Sequence, residues 1–291
     1  MQGRIIRGIG GFYYVYVSGK GILECKAKGV FRKNKLKPLV GDFVEVSLLS
    51  EEGKGNIDQV LERKNELIRP AVANIDQALV IFSMTGPEPN LNLLDRFLIM
   101  MRQKEIPGIL VFNKCDLVGE EQRERLRSVY EKSGCKILFV SAKKQQGIRE
   151  IKELLEKKTT TVAGPSGVGK SSLINLLQSS VNMETGSISE KIQRGKHTTR
   201  HAEFIFMGED TYILDTPGFS SLAVFDMEKE ELEQYYPEFE EYKENCRFHG
   251  CSHTHEPGCR IKEAVEEGNI NKERYYNYLL IYEELKNKKK Y

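Results

Sequence analysis

A glycine-rich run that ends in lysine and two serines is the first stretch of this sequence with chemical potential. The run "GPSGVGKSS" at residues 164–172 fits the pattern G-x-x-x-x-G-K-[ST], follows the apolar "TTTVAG" and precedes the helical "SSLINLLQ". Glycines let backbone N–H groups converge on phosphate oxygens, and a helix N-terminus favours negative charge. The pattern predicts a phosphate-binding loop, and the alternative is a glycine-rich turn without function. The predicted loop comprises Gly164, Pro165, Ser166, Gly167, Val168, Gly169, Lys170, Ser171 and Ser172.

A second polar group ends an apolar run upstream, in "VFNKCDLV" at residues 111–118. The carboxylate of Asp116, beside Asn113 and Lys114, could accept two N–H groups from a guanine edge. Adenine lacks that donor pair and would leave the carboxylate unpaired, so the group predicts GTP rather than ATP. The run "VSAKK" at residues 140–144 is predicted to support the base, through Ser141, Ala142 and Lys143. The alternative is that Asn-Lys-Cys-Asp only forms a turn.

Downstream of the phosphate loop, two further segments could complete a magnesium site. In "YILDTPGF" an apolar strand runs into Asp215-x-x-Gly218, which predicts a Mg²⁺ contact from Asp215 and a backbone N–H of Gly218 near a γ-phosphate. Ser171 is the other predicted Mg²⁺ ligand. In "GKHTTRH" at residues 195–201, either Thr198 or Thr199 could join the Mg²⁺ shell when the γ-phosphate is present, as a switch.

The order of these elements is base, base support, phosphate loop, first switch and second switch, which resembles the order in circularly permuted GTPases. A parallel α/β sheet collects its ligands at the carboxyl ends of its strands, and rejoining the termini does not move those ends. Apolar runs at residues 78–83, 108–113, 136–141 and 159–164 alternate with helical segments, as in such a sheet. We therefore predict an α/β, circularly permuted P-loop GTPase domain at residues 68–222.

The N-terminal region, residues 1–67, contains short β-rich runs separated by glycine-bearing turns, which indicates a small OB-fold β-barrel. Tyr13, Tyr14 and Tyr16 next to an excess of basic residues predict an RNA-binding surface. The alternative is a solvated basic face on a barrel whose tyrosines are core. Within residues 1–37 one acid, Glu24, stands against nine basic residues: Arg4, Arg7, Lys20, Lys26, Lys28, Arg32, Lys33, Lys35 and Lys37.

The C-terminal region, residues 223–291, combines an acidic, aromatic start with a cluster of cysteines and histidines. Cys246, Cys251, His253 and Cys259 are the ligand set of a closed, structural Zn²⁺ site, with His249 and His255 as alternative ligands. We predict an α-helical zinc-binding domain. Its last helix should pack through Tyr275, Leu279, Tyr282 and Leu285, which are at helical spacing.

Composition places the chain among ordinary globular proteins, with 291 residues, 40% of them hydrophobic and 30% charged. The start "MQGRIIRGIGG" lacks the apolar region of a secretion signal, and no apolar run approaches the ~20 residues of a membrane span. We predict a cytoplasmic protein with no membrane contact.

Across all three regions the chain resembles the RsgA (YjeQ/YloQ) family of ribosome small-subunit-dependent GTPases. The resemblance rests on "NKCD", "SAK", "GPSGVGKSS", "DTPGF" and C-x4-C-x-H-x5-C, together with the predicted OB-fold. It implies a late-acting assembly factor that binds the 30S ribosomal subunit and 16S rRNA. It also implies hydrolysis of GTP to GDP and phosphate, stimulated by that subunit, with Mg²⁺ at the nucleotide and one structural Zn²⁺. We expect a monomer.

One departure from Ras-type sites concerns catalysis, because Phe219 follows Asp215-x-x-Gly218 where a water-orienting glutamine would be expected. Intrinsic turnover should therefore be slow. His197, next to the two threonines, is the candidate catalytic residue for positioning water, and the alternative is that it is a bystander. Two other functions stay open: a nucleotide-gated RNA-binding scaffold, and an ATP-dependent enzyme in which "NKCD" arises by chance.

Overall fold

The computed structural model describes residues 1–29, 31, 36–67, 71–185, 203–208, 210–215 and 227–288, and gives the backbone alone at 179–185, 203 and 215. The chain divides into two compact units. The first contains Met1–Ala78, Arg149–Ala163 and Lys170–Ser220, and the second contains Leu79–Ile148, Gly164–Gly169 and Ser221–Tyr291. In the described ranges, no helix is long and apolar enough to cross a membrane.

The first unit begins with a closed five-stranded barrel. Its strands are β1 (Gln2–Ile9), β2 (Phe12–Val17), β3 (Gly21–Ala27), β4 (Phe43–Leu48) and β5 (Lys54–Val60). They pair in the order β1-β2-β3-β5-β4, β3 runs parallel to β5, and β1 also pairs with β4. Closure removes exposed strand edges. Alternate residues such as Val15 and Val17 point into the core, so the predicted OB-type barrel is confirmed. A short hairpin, β6 (Glu66–Leu67) and β7 (Val72–Ala73), follows.

The rest of the first unit carries part of the α/β domain. β11 (Thr159–Ala163) runs parallel to β13 (Thr211–Asp215), and β12 (Glu203–Gly208) pairs antiparallel with β13. β12 also meets barrel strand β1 at the pair Arg7 and Glu203. Helix α3 (Ile148–Leu155) precedes β11, and α4 (Lys170–Thr185) follows the glycine loop. Every residue of β11 is buried, as predicted for a strand covered on both faces.

The second unit contains the other strands of the α/β domain, in the order β10-β9-β8. These strands are β8 (Gln77–Ser83, whose first two residues belong to the first unit), β9 (Gly108–Asn113) and β10 (Lys136–Phe139). β9 and β10 are parallel, which requires a crossover and places α2 (Glu120–Tyr130) between them in the chain. Helix α1 (Leu91–Gln103) connects β8 to β9 and is capped by the Asn90 side chain.

The C-terminal part of the second unit is helical, as predicted. Helical 3-10 turns at Lys229–Tyr235 and Pro237–Phe239 lead into α5 (Glu240–Lys243), α6 (Arg260–Glu266) and α7 (Lys272–Asn287). The predicted packing face of α7 is displaced: Tyr282 and Leu285 are buried, whereas Tyr275 and Leu279 lie at the edge of the core. The face turns because α7 also buries polar side chains against the α/β part. Its buried residues are Arg274, Asn277, Tyr278, Ile281, Tyr282 and Leu285.

Candidate nucleotide site and metal centre

Asn113, the last residue of β9, is a buried connector in the second unit. Its Nδ2 donates to the carbonyl of Val168 at 2.9 Å, and its Oδ1 accepts from the N–H of Ala142 at 3.1 Å. One amide side chain thus fixes both the glycine loop and the base-support loop. Asn113 is only 2% exposed. Loss of its side chain would therefore leave both backbone groups without a partner at a cost in free energy.

Lys114 supports the same loop from the other side. Its backbone is left-handed, at φ 63°. Its Nζ donates to the carbonyl of Gly167 at 3.0 Å and also to the carbonyl of Gly86. The second contact lies in the segment after β8, which sequence reasoning did not single out, although Gly-Pro directly after a buried strand marks a turn. Lys114 therefore acts on the backbone of the loop.

Asp116 lies in the 3-10 turn Cys115–Leu117, with its side chain partly exposed. A hydrogen bond from Ser141 lowers the pKa of Asp116, so the carboxylate is ionised at neutral pH. Ser141 also accepts the N–H of Lys144 at 3.0 Å, and its backbone exchanges hydrogen bonds of 3.0 and 3.1 Å with Gln146. The base-support loop is thus a closed turn that holds an acceptor-only group, as recognition of paired N–H donors requires. Lys143 is exposed on that turn.

At Gly164 and Gly169 the glycine loop approaches other backbone and side-chain atoms too closely for a larger residue. A Cβ on Gly164, at φ 137°, would lie 2.0 Å from the carbonyl oxygen of Ile81. A Cβ on Gly169, at φ 94°, would lie 2.3 Å from Nδ2 of Asn113. Val168 is buried while Ser166 and Gly167 are exposed, so the exposed part of the loop is free to face a ligand. Pro165 is partly buried at its start.

The remaining predicted nucleotide residues belong to the first unit or are not described. Lys170, Ser171 and Ser172 form the first turn of α4, and a helix N-terminus favours an anion. Asp215 ends β13, with its backbone in register with Val162 of β11. The other predicted residues lie outside the described residues: His197, Thr198, Thr199, Gly218 and Phe219.

The predicted metal ligands converge within the second unit. Sγ of Cys246, Cys251 and Cys259 and a ring nitrogen of His253 all lie within 4.8 Å of one another. Nδ1 of His253 is 3.6 Å from Sγ of Cys246 and 3.4 Å from Sγ of Cys259. The two sulfur atoms are 4.0 Å apart. A tetrahedral zinc with Zn–S bonds of about 2.3 Å would separate its sulfur ligands by about 3.8 Å. The cluster could hold one metal ion, and the donor set fits zinc.

A carboxylate supports the histidine of this cluster. Nε2 of His253 lies 2.7 Å from Oε2 of Glu233, so Nδ1 is the nitrogen that faces the sulfurs. Such a partner fixes the orientation of a metal-binding imidazole. Sequence reasoning missed Glu233 because nothing in its acidic segment distinguishes it from neighbouring glutamates. His255, one of the two alternative ligands, is exposed and bonds to Thr254 at 2.8 Å, and neither it nor His249 belongs to the cluster.

The barrel places basic side chains of β1 and β3 beside aromatic side chains of β2. The guanidinium of Arg7 lies 4.3 Å from the ring centroid of Tyr14, and Nζ of Lys26 lies 4.9 Å from that of Phe12. Tyr16, also on β2, is 41% exposed. Tyr13 is two positions from the buried Val15 and therefore lies on the same face of β2 as Val15. Among the predicted surface charges, Arg4 is instead buried. Arg32, Lys33 and Lys35 lie outside the described residues.

Comparison with known proteins shows which protein family this chain resembles. A family model described as "RsgA GTPase" matches residues 60–225, and one described as "RsgA N-terminal domain" matches residues 2–57. A protein of Agathobacter rectalis named "Small ribosomal subunit biogenesis GTPase RsgA" is 58% identical over the full length of both chains. A protein of the same name from Caldanaerobacter subterraneus subsp. tengcongensis is 49% identical, over 100% of this chain and 97% of that protein.

Two solved structures share the architecture. YjeQ from Thermotoga maritima superposes with a TM-score of 0.84 at 37% identity, over 99% of both chains. YloQ, described as a circularly permuted GTPase, superposes with a TM-score of 0.80 at 35% identity, over 100% of this chain and 96% of that one. The permuted motif order and the predicted fold class are thereby confirmed. The chain belongs to the RsgA GTPase family.

Proposed function

We propose that this chain binds the small ribosomal subunit late in its assembly and hydrolyses GTP to GDP and phosphate with stimulation by that subunit. The observation that carries the proposal is that Asn113 and Lys114 hold the glycine loop while the ionised Asp116 follows them in the chain. The chain is also 58% identical to a protein named a small ribosomal subunit biogenesis GTPase. A site of this kind binds a guanine nucleotide, and the relative's name supplies the process.

The proposed role of each residue at the nucleotide follows from the chemistry of its side chain or backbone. Asp116 accepts the guanine N–H pair, the glycine loop cradles the phosphates, and Lys170 neutralises the outer ones. Mg²⁺ accompanies GTP, with Ser171, Asp215 and either Thr198 or Thr199 as its proposed protein ligands. Gly218 is proposed to donate its N–H to the γ-phosphate.

Hydrolysis by this chain needs help with the attacking water, because Phe219 has no group that can orient it. We assign that task to His197, whose imidazole can accept a proton of the water through a ring nitrogen. In this proposal the partner subunit activates His197 for that task, which is why we expect slow turnover without it.

The partner is recognised through RNA in this proposal. Arg7 over Tyr14 and Lys26 over Phe12 place cations beside ring faces, an arrangement suited to phosphates and stacked bases of 16S rRNA. Nothing in the function requires a second copy of the chain, and we propose a cytoplasmic monomer with no membrane contact. Binding through phosphates should weaken steeply as salt rises.

We also propose three functional domains, namely an OB-fold at residues 1–67, a GTPase domain at 68–222 and a zinc-binding domain at 223–291. The extents of the two matching family models, residues 2–57 and 60–225, support the first two boundaries. In the third domain, Cys246, Cys251, His253 and Cys259 would hold one zinc ion. Four protein ligands leave no position for a reactive water, so the ion would stabilise the fold.

The test is hydrolysis of GTP with and without purified small subunits, with ATP as the control nucleotide. We expect a large subunit-dependent increase for GTP and none for ATP. Asp116→Asn replaces an acceptor by an amide that can donate to the 2-oxo group of xanthine, so it should shift preference from GTP to XTP. Equal turnover with and without subunits would refute the proposed partner, and unchanged base preference in Asp116→Asn would refute the assignment of Asp116.

A further inference from the structure

Arg4 is a buried cation that contacts three strands of the first unit. It lies on β1 and is 9% exposed. Its guanidinium carbon is 4.9 Å from the ring centroid of Phe43 on β4, 4.9 Å from that of Phe204 on β12 and 5.1 Å from that of Tyr212 on β13. One barrel residue thus stacks against both strands of the β12–β13 pair.

The polar atoms of Arg4 are satisfied by backbone carbonyls rather than by a carboxylate. Nη2 donates to the carbonyl of Asn74 at 3.1 Å, and Nε donates to that of Gly41 at 3.4 Å. Within the described residues, Arg4 forms no ion pair. Burial disfavours an isolated charge, so a plain packing role would be better served by an apolar side chain. What the guanidinium adds is a rigid plane that fixes the direction of each ring and carbonyl around it.

The two strands that Arg4 contacts are the strands that border the predicted switches. β12 begins at Glu203, directly after the segment 195–201 that contains Thr198 and Thr199. Tyr212 stands three positions before Asp215 on β13. β12 also pairs with β1 at Arg7 and Glu203. A shift of the barrel strands would therefore reach β12 through the β1–β12 pair and through Arg4, and would reach β13 through the contact of Arg4 with Tyr212.

We propose that Arg4 is a positioning residue through which RNA bound to the barrel controls GTP hydrolysis. The inference rests on the proposed function and adds its regulation. The two-state element is the β12–β13 pair, and the barrel biases it through the rings of Phe204 and Tyr212. Full coupling between the two sites then depends on Arg4, whereas basal hydrolysis and RNA affinity do not.

The first test separates maximal stimulation from affinity by titrating small subunits into GTP hydrolysis reactions. Arg4→Met should keep the basal rate and the subunit concentration at half-stimulation, but lose about fivefold or more of the maximal stimulation, the lower range of allosteric coupling factors. Lys26→Met, on β3, which pairs with β2 and β5, is the matched control and should raise the half-stimulation concentration while keeping the maximum. Arg4→Lys keeps the charge without the planar fork and should recover part of the maximum.

The second test does not depend on the ribosome. Hydrogen exchange of the amides of β1 and β4 should differ between the GDP state and the state with a non-hydrolysable GTP analogue, and Arg4→Met should abolish that difference. If wild-type hydrolysis does not respond to subunits, the proposed partner is wrong and the exchange comparison still decides the role of Arg4. Should Arg4→Met fail to fold, Phe43→Leu, which removes only the barrel-side ring, makes both comparisons. Full stimulation or an unchanged exchange difference in these variants overturns the inference.

Discussion

Arg274 offers the sharpest test of how the C-terminal helix is held in the second unit. It is 2% exposed and pairs with Asp95 on α1 and, through Nε at 2.6 Å, with Glu238 in the 3-10 turn Pro237–Phe239. Asn277 donates to the second oxygen of Asp95 at 2.7 Å. The second oxygen of Glu238 has no hydrogen-bond partner in the described part of the chain. Arg274 is therefore the cation that both carboxylates share.

Arg274→Met keeps most of the side-chain volume and removes the charge. Removing one partner of a buried ion pair costs about 3–5 kcal/mol, because an uncompensated charge is left inside. Two carboxylates are stranded here, so we expect the upper part of that range. The matched control is Arg125→Met, which removes an exposed ion pair with Glu273 of α7. The side chains of Arg125 and Glu273 are 62% and 39% exposed, respectively. This substitution should lower the free energy of unfolding by only about 0–1 kcal/mol.

The destabilisation should also depend on pH with a definite sign. Burial raises the pKa of Asp95 above its usual 3.8, while Arg274, Asn277 and Tyr130 oppose that shift. Without Arg274 the pKa of Asp95 rises further. A carboxyl group with a raised folded-state pKa binds more protons when folded, so stability falls as pH rises from about 3.8 towards the folded-state pKa. The loss caused by Arg274→Met should therefore be smallest at acid pH and grow towards neutrality.

Urea unfolding followed by circular dichroism measures these differences, with hydrogen exchange of α7 amides as the local readout. Asp95→Asn in the Arg274→Met background removes one stranded charge and should restore part of the stability. A loss below about 1 kcal/mol for Arg274→Met, which is the range of exposed pairs, would refute the reasoning. So would a loss that is independent of pH between pH 5 and pH 8.

Three further predictions concern the loops and the cysteine cluster. Asn113→Ala leaves the carbonyl of Val168 and the N–H of Ala142 without their hydrogen-bond partner, at a cost of about 1 kcal/mol or more for each group. Calorimetry should therefore show GTP binding weakened by about 30-fold or more. Gly164→Ala forces a Cβ to within 2.0 Å of a backbone oxygen and should abolish nucleotide binding or lower the melting temperature, whereas Gly29→Ala, with open space around it, should be silent. Cys251→Ser should reduce bound zinc from one equivalent towards none and lower the melting temperature, as chelation should for the wild type, whereas Cys135→Ser should retain the metal.

The parts of the site that could be predicted from sequence are those whose chemistry is local. The glycine loop, "NKCD" and the cysteine cluster are each contained within a short span, so residue types and spacing are enough to indicate a ligand. The strands at residues 77–83 and 108–113 were equally predictable because burial on both faces leaves an unbroken apolar run. Strands β1 and β5 are harder to predict because they carry glycine and polar residues on a small barrel.

Contacts between residues far apart in the chain were not predictable. Arg4 counts as one of nine basic residues near the N-terminus, and only the folded chain shows that aromatic rings enclose it. Arg274 lies in an ordinary helical segment, and its partner Asp95 is 179 residues away. Glu233 likewise acquires its role from a contact with His253, 20 residues away. Charge patterns in a sequence do not distinguish a buried guanidinium from a solvated one, because the distinction depends on what packs around it.

The predicted base-reading motif, residues 113–116, divides into two chemical roles once its contacts are known. Asn113 and Lys114 direct their side chains at the carbonyls of Val168 and Gly167 and so determine the shape of the phosphate loop. Asp116 makes neither contact and presents an ionised acceptor beside the base-support turn. Affinity for any nucleotide should therefore depend on the first two residues, and discrimination between bases on the third. The motif is one unit in sequence because the end of β9 is the position from which adjacent residues can reach both the loop and the ligand.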